Sequence, residues 1–326
     1  MFSLALEGKG RGEGDFRILN GRLTMKNKVI LAGGSGFIGS FLAQKFHELG
    51  YEVIVLTRGN PSKTETAVYL GWDGKSTGDW IQSLEGADLL INLAGKSVDC
   101  RYNKKNKKAI LDSRVDATLA LRKAVQEAKN PPKLWINSST ATIYRHAEDR
   151  SMDEFTGEMG SGFSVEVAKA WEKTLFESET PQTRKVALRS AIVLGSQGGV
   201  IVPFKNLVRL GMGGQQGDGR QMFSWIHQED LFKIIRFIQS GVMEGVVNAS
   251  APGPLPNREV MKLFRKTLGI PVGLPAPVFL LVIGAWLIRT ETELLLKSRW
   301  VVPTRLLQAG FKFKFLELRE ALLDLL

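Results

Sequence analysis

Residues that build disulfides and metal centres are scarce in this sequence. It contains one cysteine, Cys100, and three histidines, His47, His146 and His227, in 326 residues. A single cysteine excludes an internal disulfide and a metal site built from cysteines, and the three histidines form no ligand cluster in the sequence. We therefore expect no metal cofactor and a reducing compartment, the cytoplasm.

A long apolar run is also missing. The most apolar stretch, Pro275–Ile288, is followed by Arg289 and Glu291. It is therefore well short of the roughly 20 residues that a membrane-spanning helix needs. We interpret it as a buried helix and expect no membrane association.

The first 24 residues have no pattern of a folded element. They mix glycine, arginine and glutamate, lack the long apolar region of a secretory signal peptide and precede a second methionine, Met25. We expect residues 1–24 to be a disordered extension outside the fold. Three origins remain open: an alternative start, a cloning remnant, or a transit peptide that directs the chain to an organelle stroma or matrix.

Acidic residues are outnumbered by basic ones. The 33 Asp and Glu stand against 44 Lys and Arg, which gives a formal net charge of +11. Such an excess suits an anionic ligand or a nucleic acid, but no nucleic-acid-binding motif accompanies it. We favour a solvated basic surface and expect a small-molecule substrate and no nucleic-acid partner.

A glycine-rich turn near the start organises the rest of the chain. Val29–Ala32 has the pattern of an apolar strand, and apolar residues recur at helical spacing from Phe37 onward. Gly33 permits a tight turn, Gly36 lets the backbone approach a pyrophosphate, and Gly39 lets the helix pack closely on the strand. The pattern predicts a dinucleotide site, and a purely structural turn is the alternative. The predicted cofactor-binding residues of the turn are Gly33, Gly34, Ser35, Gly36, Phe37, Ile38 and Gly39.

The end of the second strand selects the cofactor. Glu52–Thr57 has the pattern of a strand and is followed by Arg58. An acidic residue at this place would bind the ribose hydroxyls of NAD, whereas an arginine accommodates the 2′-phosphate of NADP. Thr57 and Arg58 therefore favour NADP(H) over NAD(H). The alternative is that Arg58 is a solvated loop residue.

Strands and helices then alternate along the chain. Ala67–Leu70, Asp88–Gly95 and Lys133–Asn137 have the pattern of strands, and a sixth strand ends at Arg189. This alternation predicts an α/β fold, a Rossmann-type doubly wound parallel sheet. We expect residues 25–198 to form an NADP(H)-binding domain.

The pattern becomes mostly helical in the last part of the chain. Helices are predicted at Asn257–Leu268 and Pro277–Leu296, with little further strand–helix alternation. We expect residues 199–326 to form a smaller substrate-side and C-terminal helical region, some segments of which return to the Rossmann body. The ligand is expected in the cleft at the carboxyl ends of the strands. The amphipathic stretch Phe315–Leu326 packs either on this body or on a second subunit, which would make a homodimer.

A run of cations precedes a long predicted helix. Arg101–Lys108 carries five positive charges in eight residues and leads into apolar residues at helical spacing from Ile110 to Val125. We interpret the run as the solvated start of that helix. The alternative is that some of its cations hold an anionic substrate.

Three motifs together resemble a known superfamily. They are the Gly-x-x-Gly-x-x-Gly turn, the segment Asn92-Leu-Ala-Gly95 and the segment Ser138-Ser-Thr-Ala-Thr-Ile-Tyr144. In this combination the sequence resembles the extended short-chain dehydrogenases/reductases. The resemblance implies further cofactor contacts from Asn92, Leu93, Ala94, Gly95 and Ser138; the alternative for Asn92–Gly95 is a glycine that simply ends the strand. It also implies that Thr140 hydrogen-bonds the reacting oxygen of the substrate.

The proton-transfer pair of that superfamily is missing here. Its members carry a Tyr-x-x-x-Lys motif on the following helix, and the positions that align with it are Phe163 and Val167. Neither side chain can exchange a proton, and a positioned acid or base commonly contributes about 10²–10⁴-fold in rate. Tyr144, Glu166 and Lys169 are the candidate replacements; alternatively, all three are structural.

From Val186 onward the resemblance narrows to one branch. Stretches such as Gly217–Asp230 and Val302–Phe311 resemble an atypical, epimerase-like family that ends in a small domain of unknown function. Its members are commonly labelled nucleoside-diphosphate-sugar epimerases, and some relatives cell-division inhibitors. An arginine that grips the diphosphate usually precedes the aromatic-Ile-His segment, and Phe223 stands there instead. The expected substrate-side residues are Arg189, Arg220 as a replacement arginine, Trp225 and His227, the last two being alternatively packed into the second domain.

Two functions follow from these patterns. The first is an NADP(H)-dependent oxidoreductase or nucleoside-diphosphate-sugar epimerase that acts on a small polar substrate. The second is a catalytically silent NADPH-binding sensor or interaction protein, for example one related to cell division. Phe163 and Val167 motivate the second function.

Overall fold

The structure is a computed structural model that describes residues 16–19, 22–25, 27–177, 179–279, 281 and 296–326. Its strands are β1 (Phe16–Leu19), β2 (Arg22–Met25), β3 (Lys28–Ala32), β4 (Glu52–Thr57), β5 (Ser62–Lys63), β6 (Val68–Gly71), β7 (Leu89–Asn92), β8 (Leu134–Thr140), β9 (Arg184–Ser190), β10 (Ile192–Gly195), β11 (Gly198–Gly199), β12 (Met222–Phe223), β13 (Trp225–His227), β14 (Gly245–Ala249) and β15 (Leu255–Pro256). Its helices are α1 (Phe37–Glu48), α2 (Lys104–Glu127), α3 (Phe163–Phe176), α4 (Ile201–Arg209), α5 (Gln228–Ser240), α6 (Asn257–Thr267), α7 (Thr304–Gln308) and α8 (Leu318–Leu325). Short 3₁₀ helices span Asp79–Leu84 and Ala141–Ile143.

Eight strands form one large sheet in the order β14-β9-β8-β7-β3-β4-β6-β5. Neighbouring strands run parallel, except that β5 pairs with β6 in antiparallel fashion. The chain first crosses from β3 through α1 to β4 and later returns to β7 on the other side of β3, so the strand order reverses there. Ligands of doubly wound sheets bind outside the carboxyl ends of the strands at this point. The predicted Rossmann-type α/β fold is confirmed.

Helices cover both faces of this sheet, which explains why its central strands are apolar without alternation. Leu31 of β3 belongs to the core on one face, together with Phe46 of α1. Ile30 belongs to the core on the other face, together with Leu121 of α2 and Leu175 of α3. All five of these side chains are fully buried. The sheet is therefore held rigidly between two helical layers, which fixes the positions of the loops at its edge.

A third hydrophobic core joins α4, α6 and α8. It contains Phe204 of α4, Phe264 of α6 and Leu322 of α8, together with Trp225 of β13. The amphipathic helix α8 buries its apolar face in this core. The C-terminal stretch therefore packs on the body of its own chain.

Two differences from the sequence pattern concern the edge of the main sheet and the N-terminal residues. β14 returns to the main sheet and pairs in parallel with β9. The pattern missed this strand because only Val246 and Val247 in it are β-branched, and Gly245 and Asn248 flank them. Within residues 1–24, which we expected to be disordered, β1 pairs with β2, which ends at Met25.

Most of the predicted helix at Pro277–Leu296 lies outside the described residues. Within the described ranges, every helix is too short or too polar to cross a lipid bilayer. Over the same ranges, no three side chains of histidine, cysteine, aspartate or glutamate are grouped as a metal site.

Candidate functional site

Two glycines of the turn between β3 and α1 are required by close packing. Gly33 has a φ of +71°, and a Cβ atom there would lie 2.7 Å from the Cα of Ala94. A Cβ atom at Gly39 would lie 2.2 Å from the carbonyl oxygen of Gly34. A side chain at either position would push the turn away from the neighbouring backbone.

Gly36 differs from them because the space next to it holds no protein atoms. A Cβ atom at Gly36 would meet no heavy atom within 4 Å. Gly36 is also the N-cap of α1, and no side chain caps this helix start. The first turn of α1 borders an open cavity of about 520 Å³, which Ser35, Ser40 and Gln44 also line. An uncapped helix start with open space in front of it fits the pyrophosphate of a dinucleotide.

The end of β4 lies beside this turn. The Thr57 hydroxyl donates a hydrogen bond to Ser35 Oγ at 3.2 Å, and the Gly59 N–H donates one to Thr57 Oγ1 at 3.3 Å. Arg58 between them is exposed and makes no ion pair with any other described residue. The fold thus brings a hydroxyl of the glycine turn and a cationic residue to the same edge, an arrangement that fits a 2′-phosphate.

A cavity of about 220 Å³, called the central cavity below, lies at the carboxyl ends of β7 and β8. Ser138 and Thr140 line it from β8, and Phe163 and Val167 line it from α3. Its other lining residues are Leu93, Gly95, Val98, Tyr102, Ile110, Arg114, Ser139, Thr142, Ser164, Ala168 and Trp171. The structure therefore brings together the candidate catalytic threonine and the two positions that the resemblance assigns to tyrosine and lysine.

Thr140 has a hydroxyl proton available in this cavity. Its Oγ1 accepts a hydrogen bond from the Thr142 N–H at 3.1 Å. The hydroxyl donates to no described residue, so its proton can be directed at a bound oxygen.

Asn92, at the end of β7, is fully buried and shapes the segment that follows it. Its Oδ1 accepts a hydrogen bond from the Ala94 N–H at 3.0 Å, and its Nδ2 donates to Asn137 Oδ1 at 2.6 Å. Ala94 is the residue against which Gly33 packs, and Leu93 and Gly95 line the central cavity. The Asn92 side chain therefore positions backbone between the glycine turn and the central cavity.

The three candidate replacements for the proton-transfer pair do not line the central cavity. Glu166 and Lys169 are exposed on α3 and pair with each other at 3.5 Å. Tyr144 is 2% exposed, and its hydroxyl donates to Asn248 Oδ1 at 3.0 Å. Burial raises the pKa of Tyr144, which makes its hydroxyl a poorer proton donor.

Arg189, which we expected to face the substrate, is held in a buried ion pair. Its Nε and Nη2 donate to the two carboxylate oxygens of Glu172 at 2.8 and 2.7 Å, and its Nη1 donates to Tyr144 Oη at 2.9 Å. Arg189 is 3% exposed and Glu172 is 7% exposed. Burial lowers the pKa of this guanidinium, but the hydrogen bonds and charge of Glu172 outweigh that effect and raise it above its usual value. The whole guanidinium is engaged inside the protein.

The other three expected substrate-side residues also lie outside the central cavity. Arg220 is exposed, with its Nη2 3.2 Å from Glu148 Oε2. Trp225 is fully buried, and its indole N–H donates to a backbone carbonyl at 3.0 Å. His227 is fully buried, its Nδ1 accepts from the Glu229 N–H at 3.1 Å, and burial lowers its pKa. Trp225 and His227 thus occupy the packed position that the sequence left as their alternative.

Arg114 and Tyr102 are among the lining residues of the central cavity that sequence reasoning missed. Arg114 lies on the buried stripe of α2, four residues after Ile110 and three before Ala117. The sequence did contain a signal for Arg114, namely a cation on the apolar face of an amphipathic helix. Arginine is rarely buried without a partner, so such a position indicates a functional or paired side chain. Tyr102 packs edge-on against Phe163 with ring centroids 5.0 Å apart, and only the fold brings these two rings together.

Comparison with known proteins extends over nearly the whole chain. Residues 29–249 match the NAD dependent epimerase/dehydratase family, and residues 274–325 match a domain of unknown function, DUF1731. The mouse epimerase family protein SDR39U1 is 33% identical over 305 residues, which cover 91% of this chain and 99% of the mouse protein. The epimerase family protein YfhF of Bacillus subtilis is 31% identical over 304 residues, which cover 91% of this chain and 97% of YfhF.

A solved structure agrees with these matches. The crystal structure of human epimerase family protein SDR39U1 (isoform 2) with NADPH has a TM-score of 0.81 and 30% sequence identity to this chain. The similarity covers 91% of this chain and 98% of the human chain. With its parallel sheet, its glycine turn and these matches, the chain belongs to the NAD dependent epimerase/dehydratase family.

Proposed function

We propose that the protein binds NADP(H) and uses it to oxidise or reduce a small polar substrate in the central cavity. The observation that carries this proposal is the position of Thr140, whose hydroxyl proton is available in the central cavity. Leu93 and Gly95 line the same cavity, and Ala94 between them packs on Gly33 of the glycine turn. The NADPH in the human SDR39U1 structure supports the choice of cofactor. When bound, NADP(H) supplies or accepts the hydride.

Each candidate residue then has a defined task. The first-turn N–H groups of α1 bind the pyrophosphate, Arg58 binds the 2′-phosphate, and Thr140 donates a hydrogen bond to the reacting oxygen. We assign Arg189, Trp225 and His227 to packing, because each is engaged inside the protein. Residues 25–198, together with β14, form the cofactor domain in this proposal, and the rest of residues 199–326 form the substrate side.

A nucleoside-diphosphate-sugar epimerase has weaker support. The central cavity, at about 220 Å³, is below the roughly 300–1,000 Å³ of typical ligand pockets. Phe223, at the position where an arginine would grip the diphosphate, is 7% exposed and packs on Phe204 with ring centroids 6.0 Å apart. A buried phenyl ring offers no charge to a diphosphate.

A silent NADPH-binding sensor is the second candidate function. Phe163 and Val167 line the central cavity at the two positions of the missing pair, and neither side chain can titrate. The candidate replacements Tyr144, Glu166 and Lys169 do not line this cavity. Both observations favour the sensor. NADPH binding without turnover of any aldehyde or ketone in a broad panel would support the sensor and contradict the oxidoreductase.

Arg58→Ala is expected to weaken NADPH binding by about 10- to 100-fold, the effect of losing one charge-assisted hydrogen bond. NADH affinity should stay unchanged, because NADH has no 2′-phosphate for Arg58 to bind. Titration of the cofactor-free protein, followed by nicotinamide fluorescence, measures both affinities. Arg58→Lys is the matched control and should retain part of the preference. An equal loss of affinity for both cofactors would remove Arg58 from phosphate recognition.

Thr140→Val is expected to lower kcat/KM for NADPH-dependent carbonyl reduction by about 10²-fold, as the loss of one preorganised hydrogen-bond donor does in other enzymes. Valine keeps the shape of threonine and removes its hydroxyl. NADPH absorbance in the presence of small aldehydes and ketones gives the rate. Thr140→Ser keeps the hydroxyl and should retain most of the activity. Full turnover by Thr140→Val would exclude the hydroxyl from the reaction.

A further inference from the structure

One edge of the Arg114 guanidinium in the central cavity has no partner among the described residues. Its Nη1 donates to the carbonyl oxygens of Lys96 and Ile110, both at 3.0 Å. Its Nε and Nη2 donate to no described residue, and no described carboxylate forms an ion pair with it. The Arg114 side chain is half-buried and lines the central cavity.

The Arg114 guanidinium is closely packed by its neighbours. The guanidinium carbon lies 5.0 Å from the centroid of the Trp171 ring, and a Cβ atom at Gly95 would lie 3.0 Å from the same carbon. Burial lowers the pKa of Arg114 to about 10, so the side chain is still charged at neutral pH. A cation that has lost much of its water is stabilised strongly by an anion placed against it.

Arg189 provides the comparison within the same protein. Glu172 occupies its Nε–Nη2 edge through two hydrogen bonds of 2.8 and 2.7 Å. The same edge of Arg114 has no such carboxylate, and Arg114 lines the cavity that also contains Thr140. A carboxylate on a ligand can therefore occupy at Arg114 the place that Glu172 occupies at Arg189.

The start of α2, of which Lys107 lies near the central cavity, carries further positive charge. The exposed lysines at the start of α2 are Lys104, Lys105, Lys107 and Lys108. The Nζ of Lys107 lies 5.3 Å from the ring centroid of Phe163, which lines the cavity. These cations raise the local concentration of anions without contacting them in the cavity.

We propose that the substrate carries a carboxylate, which the Nε–Nη2 edge of Arg114 binds while Thr140 holds the reacting oxygen. This inference rests on the proposed function, because it names the substrate class of the same cavity. The small volume of the cavity, about 220 Å³, favours a carboxylate over the larger phosphate ester. The substrate class is thus a small oxo or hydroxy acid.

Calorimetric titration of the full chain with benzoate, benzamide and phenyl phosphate tests this inference, with and without saturating NADP⁺. Wild type should bind benzoate about 10- to 100-fold more tightly than benzamide, the effect of a hydrogen bond to a charged group. Arg114→Gln should remove this preference, and Arg114→Lys should keep part of it. Arg122→Gln is the matched control, because Arg122 lies on α2 and does not line the cavity.

Three results would overturn the inference. The first is equal binding of benzoate and benzamide by wild type, or a preference that survives in Arg114→Gln. The second is tighter binding of phenyl phosphate through Arg114, which would assign the cavity to phosphates. The third is a pair of results: wild type shows no preference for benzoate, and Arg114→Gln loses affinity for NADP⁺. Together they would assign Arg114 to cofactor binding. If Arg114→Gln does not fold, weaker benzoate binding with unchanged benzamide binding by Arg114→Lys decides the question.

The arm without NADP⁺ separates this inference from the proposed function. If NADP⁺ does not bind but the Arg114-dependent preference persists, the proposed function fails and the carboxylate site stands. If NADP⁺ binds and no preference exists, the carboxylate site fails and the cofactor proposal stands.

Discussion

Gly36→Asp is expected to abolish NADPH binding while the protein stays folded. Gly36 has φ −89° and ψ −178°, an extended conformation that any residue adopts, and a Cβ atom there meets no heavy atom within 4 Å. The new carboxylate would cap α1 and occupy the N–H groups that the cofactor phosphates need. Losing two charge-assisted hydrogen bonds weakens binding by about 100-fold or more. Nicotinamide fluorescence titration measures this loss.

Gly36→Asn is the matched control, because asparagine has nearly the same size as aspartate and no charge. It should weaken NADPH binding less than Gly36→Asp, since it does not repel the pyrophosphate. Thermal unfolding should give both variants a Tm equal to or slightly above that of wild type, because Asp and Asn are at least as good as Gly at an N-cap. Wild-type affinity in Gly36→Asp would mean that NADPH does not lie against this turn.

Glu172→Leu is expected to lower the free energy of unfolding by about 3–5 kcal/mol, as the removal of one partner of a buried ion pair does. Arg189, 3% exposed, would keep a buried charge with no carboxylate against its Nε and Nη2. The Ser139 hydroxyl, which donates to Glu172 Oε1 at 2.6 Å, would lose its acceptor too. Urea denaturation measures the change in stability.

The double variant Glu172→Leu with Arg189→Met is the informative control for this prediction. It removes both charges, so most of the lost stability should return. Glu177→Leu makes the same substitution in an exposed ion pair, in which Glu177 lies 3.6 Å from Lys173. It should lower the free energy of unfolding by at most about 1 kcal/mol. If the double variant is as unstable as Glu172→Leu, the unpaired charge of Arg189 is not the cause of the instability.

The cofactor half of the site was predictable because its chemistry is local in sequence. The roles of Gly33, Gly36 and Gly39 depend on a strand, a turn and a helix that follow one another directly, and the structure has that arrangement. Thr140 and the Phe163 and Val167 positions also came together as the resemblance implied. Strand ends of a parallel sheet share one edge, so motifs at those ends meet once the fold class is known.

The substrate half was much less predictable, because burial and pairing there depend on contacts between distant segments. Tyr144 was a candidate acid, but its hydroxyl donates to Asn248, 104 residues later, on a strand that the pattern missed. Glu166 and Lys169 are on the right helix but exposed, away from the central cavity. Helical spacing indicates which residues share a face of the helix, but it does not indicate which residues of that helix will line a cavity.

The parallel α/β sheet, the glycine turn with Arg58 beside it, and the loss of the Tyr-x-x-x-Lys pair were predictable from the order of the residues alone. Each of these depends on neighbouring residues and on backbone geometry that the residue types impose directly. The different surroundings of Arg189 and Arg114 depend on contacts between segments that are distant in the sequence. Packing of β9 on α3 places Glu172 against the first, whereas no described carboxylate reaches the second in the central cavity. A charge that is paired inside the protein stabilises the fold, and one left open in a cavity is available to a ligand.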